Sequence, residues 1–441
     1  MDWLRLLAAR NESRNVAWIV LERVLRLAVG LSVGILVARH LGASDYGRLA
    51  YVIAIASFLT PFITAGEGFV VRDIAAGDVS SGAVLASATV LASALTAVVT
   101  VALLVSDEIS PGTFASGTHT LLLVVVIGTA VRPLGGVDFW FQAHLRAARA
   151  TAARLAAFVA ATVARVTAVA MAAPVAVFAW IFAGEAVAAT LLLLASYRLA
   201  GESFGGWRLH WSYLKALSRR AFPLLGSSIA IVLYLRIDQV MLGSISGVRQ
   251  SGLYAVAVTM SEVAWFLPLA VGTVFTPGMT RLWRESQDRY AERLQDLFVV
   301  ACFAAYVVAA ASAAVGVWFI PLAYGHAYSD VAPTFLVLAL ANPFVFLGVI
   351  ETIWTVNADR QGIAFARTAL AAVANIALNL VLLKPLGATG AAITTVVAYA
   401  LAAVALNALF SASRPIVRMQ LRALALRDLR RALRVNREFS G

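Results

Sequence analysis

An all-α polytopic membrane protein, about twelve transmembrane helices in two six-helix lobes, follows from three features of this sequence. Hydrophobic residues make up 61% of its 441 positions and charged residues only 13%, about half the charge of a soluble domain, so lipid is the solvent for most of the chain. The apolar residues fall in runs of about 20 or more, the length that crosses a hydrocarbon core. Basic residues gather in alternate connections between those runs, as topology requires.

Twelve runs are legible: Val16–Ala38, Tyr46–Gly66, Gly82–Val105, Thr118–His144, Thr151–Ala172, Pro174–Tyr197, Ala221–Ser244, Gly252–Met279, Leu294–Ile320, Pro333–Trp354, Gly362–Leu383 and Gly387–Phe410. The third is the cleanest, with no charge between Asp78 and Asp107. Only Ala172-Ala173-Pro174 separates the fifth from the sixth, and their joint length calls for a hairpin. Pro133, Gly135 and Gly136 should kink the fourth.

With the N-terminus placed inside, 26 of the 35 lysines and arginines fall in inside segments and 4 in outside ones. That asymmetry predicts a cytoplasmic (inner) membrane protein with both termini cytoplasmic. An error of one crossing would scramble it. The net charge of +12 is therefore topological, and no nucleic-acid partner is expected.

The long interior connection Arg198–Arg220 divides the chain six plus six. A weak repeat agrees: Gly42-Ala-Ser-Asp-Tyr-Gly47 and Gly247-Val-Arg-Gln-Ser-Gly252 both join the first and second runs of their half. The expected organisation is an N-terminal lobe at 1–200, a cytoplasmic linker at 201–220, a C-terminal lobe at 221–410 and a basic tail at 411–441. The tail alternates Arg418, Arg422, Arg427, Arg430, Arg431 and Arg434 with Leu421, Leu424, Leu429 and Leu433. It reads as an amphipathic helix suited to an anionic membrane surface or, more blandly, as a solvated tail.

Ionisable residues inside the runs are expensive in lipid, so each is a functional candidate. Those singled out are Glu22, Arg23 and Arg26 in the first run, Arg132 and Asp138 in the fourth, Arg165 in the fifth, Glu185 in the sixth, Arg236 and Asp238 in the seventh, and Glu262 in the eighth. The plain alternative for each is an interhelical ion pair that holds the bundle together. Gly30-xxx-Gly34 reads as a close helix-packing motif.

Several classes are excluded. Cys302 is the one cysteine and no histidine pair has ligand spacing, so neither a disulfide nor a metal centre is expected. Neither lysine follows a glycine, which removes a P-loop. The outside connections are too short to carry a catalytic domain. The expectation is a protein that is not an enzyme and needs no cofactor.

The first two runs carry a resemblance. Glu22-Arg-Val-Leu-Arg26, Gly34-Ile-Leu-Val-Ala-Arg-His-Leu-Gly42 and Asp45-Tyr-Gly47 resemble bacterial polysaccharide flippases of the Wzx type, within the multidrug/oligosaccharidyl-lipid/polysaccharide (MOP) exporter superfamily. Phe222-Pro-Leu-Leu-Gly226 and Arg236-Ile-Asp-Gln-Val-Met-Leu-Gly243 look like that family's second half. The resemblance implies two lobes about a central cavity. It also implies a polyprenyl-diphosphate-linked glycan as substrate, with membrane lipids and other polysaccharide-assembly proteins as partners. Lipid II flippases typically have fourteen spans, so twelve favours a polysaccharide repeat unit.

On that reading Arg23, Arg26, Arg132, Arg165 and Arg236 bind the diphosphate, since guanidinium matches phosphate geometry. Glu22, Asp138, Glu185, Asp238 and Glu262 serve ion coupling or interhelical pairing. Two rivals remain: a multidrug or other ion-coupled antiporter of the same superfamily, for which an acid-dominated cavity is expected, and a non-transporting scaffold for polysaccharide assembly.

Overall fold

A computed structural model describes the backbone of residues 2–109 and 114–432, and the side chains of 26–106, 114–272 and 275–432. Every regular element among the described residues is helical. The chain forms two compact units, Met1–Val232 and Leu233–Gly441.

The first unit contains α1 (Asp2–Ser57), α2 (Thr60–Ile63), α3 (Glu67–Ala76), α4 (Ser81–Ile109), α5 (His119–Ala130), α6 (Asp138–Ala143), α7 (Ala147–Ala170) and α8 (Val175–Leu199). Helix α9 (Trp211–Ile245) carries the unit boundary. The second unit continues with α10 (Val248–Val263), α11 (Phe266–Glu285), α12 (Gln287–Tyr324), α13 (Val331–Ala339), α14 (Asn342–Asn357), α15 (Gln361–Ala403) and α16 (Arg414–Leu424).

Among the described residues nine helical stretches are long and apolar enough to cross a bilayer, and His119–Gly135 is a shorter tenth. Two of the nine contain two crossings each. The stretch Gln361–Leu409 has 49 residues, about 70 Å of helix at 1.5 Å per residue, more than twice a hydrocarbon core. It is broken at Gly387 (φ 53°, ψ −131°). Helix α1 is broken at Gly42 (φ 70°, ψ 171°), so the first crossing passes into the second without a loop. Dividing the ten stretches at these two glycines gives twelve crossings. The expected hairpin between the fifth and sixth is present, with α7 ending at Ala170 and α8 starting at Val175.

The weak sequence repeat has a backbone counterpart. Gly247 stands at φ 90°, ψ 161°, close to the conformation of Gly42. A side chain is strongly disfavoured there, which explains why glycine opens both copies. The second and fourth crossings are interrupted in each half. The breaks lie at residues 58–59 and 264–265, and at 131–137 and 340–341.

Close packing falls elsewhere than the sequence suggests. A methyl built on Gly30 or Gly34 meets nothing within 4 Å, so this pair is not a helix-contact motif. Both glycines line a cavity of about 190 Å³ with Tyr46, Arg165, Phe178 and Phe182. The close approach is made by Gly128 of α5, where a methyl would lie 2.4 Å from the Ala183 Cβ of α8. In lipid, where apolar burial does not drive helices together, such small-residue contacts let backbones gain dispersion energy. The tail helix is also placed differently. Ile416, Gln420 and Ala423 of α16 are buried against the second unit, and only the opposite face, with Arg414, Arg418 and Arg422, is exposed.

Candidate functional site

In the first unit the charges inside the crossings converge on Glu185 of α8. Arg165 of α7 donates to Glu185 Oε2 at 2.6 Å. Arg26 of α1 reaches Glu185 Oε1 at 3.5 Å and donates to the Arg154 carbonyl at 2.9 Å. Its guanidinium lies 4.8 Å from the centre of the Phe158 ring, a cation–π arrangement that keeps the group planar and presented. Arg154 in turn donates to Asp138 Oδ1 at 2.7 Å.

Local sequence explains these positions. Pro133 has no N–H to donate, and the Arg132–Gly135 segment tightens into a 3-10 turn that interrupts the fourth crossing. Arg132 therefore projects from a break instead of a continuous helix. It makes no ion pair among the described residues, yet lies within electrostatic reach of Glu185 and Arg26. Asp138 opens α6, where the helix N-terminus favours a carboxylate. Among the described residues, four guanidinium groups, those of Arg26, Arg132, Arg154 and Arg165, thus gather with three carboxylates, Glu185, Asp138 and, bridged to Asp138 by Gln142, Glu67, leaving one positive charge in excess. The side chains of Glu22 and Arg23 lie outside the described residues.

The second unit places its charges differently. Arg236 and Asp238 point apart, as two-residue spacing on a helix requires. Arg236 pairs with Glu262 at 3.4 Å. Asp238 is buried, and its Oδ2 accepts from Tyr254 Oη and Thr395 Oγ1. Its Oδ1 has no hydrogen-bond partner. The neighbouring Thr394 donates to Asn379 Oδ1 at 2.7 Å, and Asn379 donates to Asn375 Oδ1 at 2.7 Å. Tyr254, Thr395, Arg236 and Glu262 border a cavity of about 10 Å³, room for about one water-sized guest. Among the described residues no three His, Cys, Asp or Glu side chains gather as for a multivalent metal. Glu262, paired with Arg236, is the carboxylate that lines this cavity, and Asp238 stands behind Tyr254 and Thr395.

Sequence reasoning missed three participants. Arg154 was counted with the loop arginines, although it stands three residues inside the fifth run. Arg367 was counted in the same way, and Glu351 of the tenth run was passed over. These two form a buried ion pair. Arg367 also donates to Asn407 Oδ1 at 2.7 Å, and Gln420 of α16 donates to Glu351 Oε2 at 3.0 Å.

Solved structures share this architecture. An inward-facing multidrug resistance MATE family transporter of the MOP superfamily aligns with TM-score 0.74 at 15% identity, over 91% of this chain and 95% of the other. The lipid II flippase MurJ, in an inward closed conformation, aligns with TM-score 0.70 at 13% identity, over 93% and 91%. A MOP superfamily transporter from Pyrococcus furiosus aligns with TM-score 0.59 at 15% identity, over 94% and 96%. The fold is accordingly that of a MOP-superfamily membrane transporter. No curated protein matches the sequence. A family model does, across residues 13–283, more than half the chain and the part containing every charged residue described above in the site except Glu351 and Arg367. The chain belongs to the polysaccharide biosynthesis protein family.

Proposed function

We propose that this chain is a flippase that carries a polyprenyl-diphosphate-linked oligosaccharide across the cytoplasmic membrane by alternating access, for cell-surface polysaccharide synthesis. The observation that supports this most is the positive excess around Glu185. A bare diphosphate in hydrocarbon is prohibitively unfavourable. Guanidinium groups held inside the membrane replace its hydration with charge-assisted hydrogen bonds. Arg165 is held tightly by Glu185, whereas Arg26 sits 3.5 Å from it. Arg26 takes the phosphate in this reading by exchanging its longer contact to Glu185, with Arg132 nearby and Arg23 one turn earlier on α1. Within the second unit, Arg236 is the arginine proposed to meet substrate. The aromatic cavity beside Arg165 suits a sugar ring or the first carrier isoprene.

Transport in this reading follows the lobe scheme of 1–200 and 221–410 joined by 201–220, with both termini cytoplasmic. Asp238, with its unpartnered oxygen, is the coupling site for a proton or monovalent cation. Glu262 and Glu185 tune their arginines, and Asp138 positions Arg154.

Proteoliposomes holding a fluorescent lipid-linked oligosaccharide test the proposal. The wild-type chain is expected to move the sugar lipid between leaflets, and Arg26→Ala/Arg165→Ala to do so far more slowly while still inserting. A multidrug antiporter would ignore the sugar lipid and a scaffold would move nothing. Unimpaired transport by the double variant would remove the diphosphate assignment.

A further inference from the structure

A further cavity of the second unit lies away from every group used above. It measures about 610 Å³ and opens between the end of α11, the start of α12 and Arg431 of the tail. That volume falls within the roughly 300–1,000 Å³ of small-molecule sites. Its lining is graded. Phe275, Met279 and Leu282 of α11 are apolar, whereas Arg281 and Glu285 at the end of α11, four residues of α12 and Arg431 contribute charges of both signs. These residues straddle the end of one crossing and the start of the next, so the grading follows the membrane–water boundary.

The charges are incompletely matched. Asp296 is 4% exposed, and among the described residues its Oδ1 accepts no hydrogen bond and has only a long ion pair, to Arg431 at 3.6 Å. A buried carboxylate oxygen without a donor is unfavourable and marks a place for an N–H group. Glu292 and Arg289, one turn apart on α12, have side chains with no ion-pair partner among the described residues. Arg293 lies over the Phe275 ring at 5.9 Å. A purely anionic ligand would meet the arginines but also face Glu285, Glu292 and Asp296. A ligand bearing one phosphate and one primary ammonium satisfies both signs.

We propose that this cavity seats the headgroup of an aminophospholipid of the phosphoethanolamine class. The phosphate is held by Arg289 and Arg293, and the ammonium by Asp296 and Glu292. The glycerol end lies toward Phe275 and Leu282. Trimethylation of the amine removes the N–H donors that Asp296 requires, so a phosphocholine lipid is excluded. The proposal depends on the function proposed above only for the name of the leaflet, which is the cytoplasmic one in that topology.

The test is native mass spectrometry of the purified full-length chain titrated separately with dioleoyl phosphatidylethanolamine, phosphatidylglycerol and phosphatidylcholine, and with deacylated glycerophosphoethanolamine. Transport is not read, so failure here is distinct from failure of the flippase reading. The ethanolamine lipid is expected to bind at least tenfold tighter than the other two lipids and than its deacylated form. Glu292→Gln and Asp296→Asn should each reduce that preference, whereas Arg289→Ala should weaken all three lipids together. Glu292 is exposed, so its variant keeps the test valid even where Asp296→Asn impairs folding. Equal binding of the three lipids, a preference that survives Glu292→Gln, or full binding of the deacylated headgroup would each overturn the proposal.

Discussion

The two units repeat one helical plan and use their charges in opposite ways. In the first, guanidinium groups outnumber carboxylates, and the pairs are partly open: the Arg26, Arg165 and Glu185 side chains are 32%, 21% and 20% exposed. In the second, the Arg236–Glu262 pair is also open, at 35% and 31% exposed, but one ion pair is closed, Arg367 being 10% and Glu351 0% exposed. Asp238 is likewise sealed among hydroxyls. An open positive excess can exchange its partner for a phosphate. A closed pair holds helices together, and a sealed carboxylate can discriminate only very small guests.

The largest expected effect probes the closed pair. Glu351→Ala strands Arg367 in the second unit and should destabilise the protein by about 3–5 kcal/mol. Glu185→Gln in the first unit should cost about 1 kcal/mol, because its partners are partly open. Thermal unfolding in detergent measures both, and equal losses would erase the contrast. Next, Arg26→Ala should lower translocation roughly 10–100-fold, the worth of a charge-assisted contact. Arg236→Ala, whose charge Glu262 already balances, should lower it only roughly threefold. The reconstituted flipping rate decides, and a larger loss at Arg236 would reverse the assignment of units.

Asp238→Asn keeps the hydrogen-bonding shape but removes the charge. Its translocation rate should no longer respond to an imposed sodium or proton gradient, while the rate without a gradient stays within about twofold of wild type, since Asp238 lies outside the arginine cluster. The smallest effect concerns Asp73 of α3, outside the crossings. Burial acts to raise its pKa, but hydrogen bonds from Arg220, Tyr213 and Arg72 outweigh burial and hold it below the ordinary 3.8. Its folded pKa is therefore depressed. The stability it adds is present above pH 3.8 and disappears as pH falls through the folded value. Acid titration of unfolding should show a shallow loss below pH 3.8 in the wild type that Asp73→Asn lacks.

The crossings were legible because bilayer thickness imposes a length and topology imposes a charge rule, both of which act on consecutive residues. The fourth-crossing break was legible for the same reason, since Pro133-Leu-Gly-Gly136 is a local signal. Partnerships were not. Arg26 meets Glu185 across 159 positions, and Asp238 meets Thr395 across 157. Nothing in the spacing along one helix reports which face of another it will touch. The Gly30–Gly34 pair shows the converse error: four-residue spacing fits helix contact and cavity lining equally well. Arg154 and Arg367 were hidden by lying near the ends of their runs, where a long side chain serves a loop or a core with equal ease.

The hydrogen bond from Gln420 to Glu351 also orders the making of the protein. The donor is 69 residues later in the chain than the carboxylate it completes. At about 5–20 residues per second, roughly 3–14 s separate the synthesis of the two. During that interval Glu351 can pair with Arg367 but lacks its second donor, so the last unit to enter the membrane stays electrostatically unfinished until the tail arrives. A chain halted before Gln420 carries every crossing yet cannot complete this network. Helix α16 thereby ties the finished state of this ion pair to synthesis of the chain as far as Gln420.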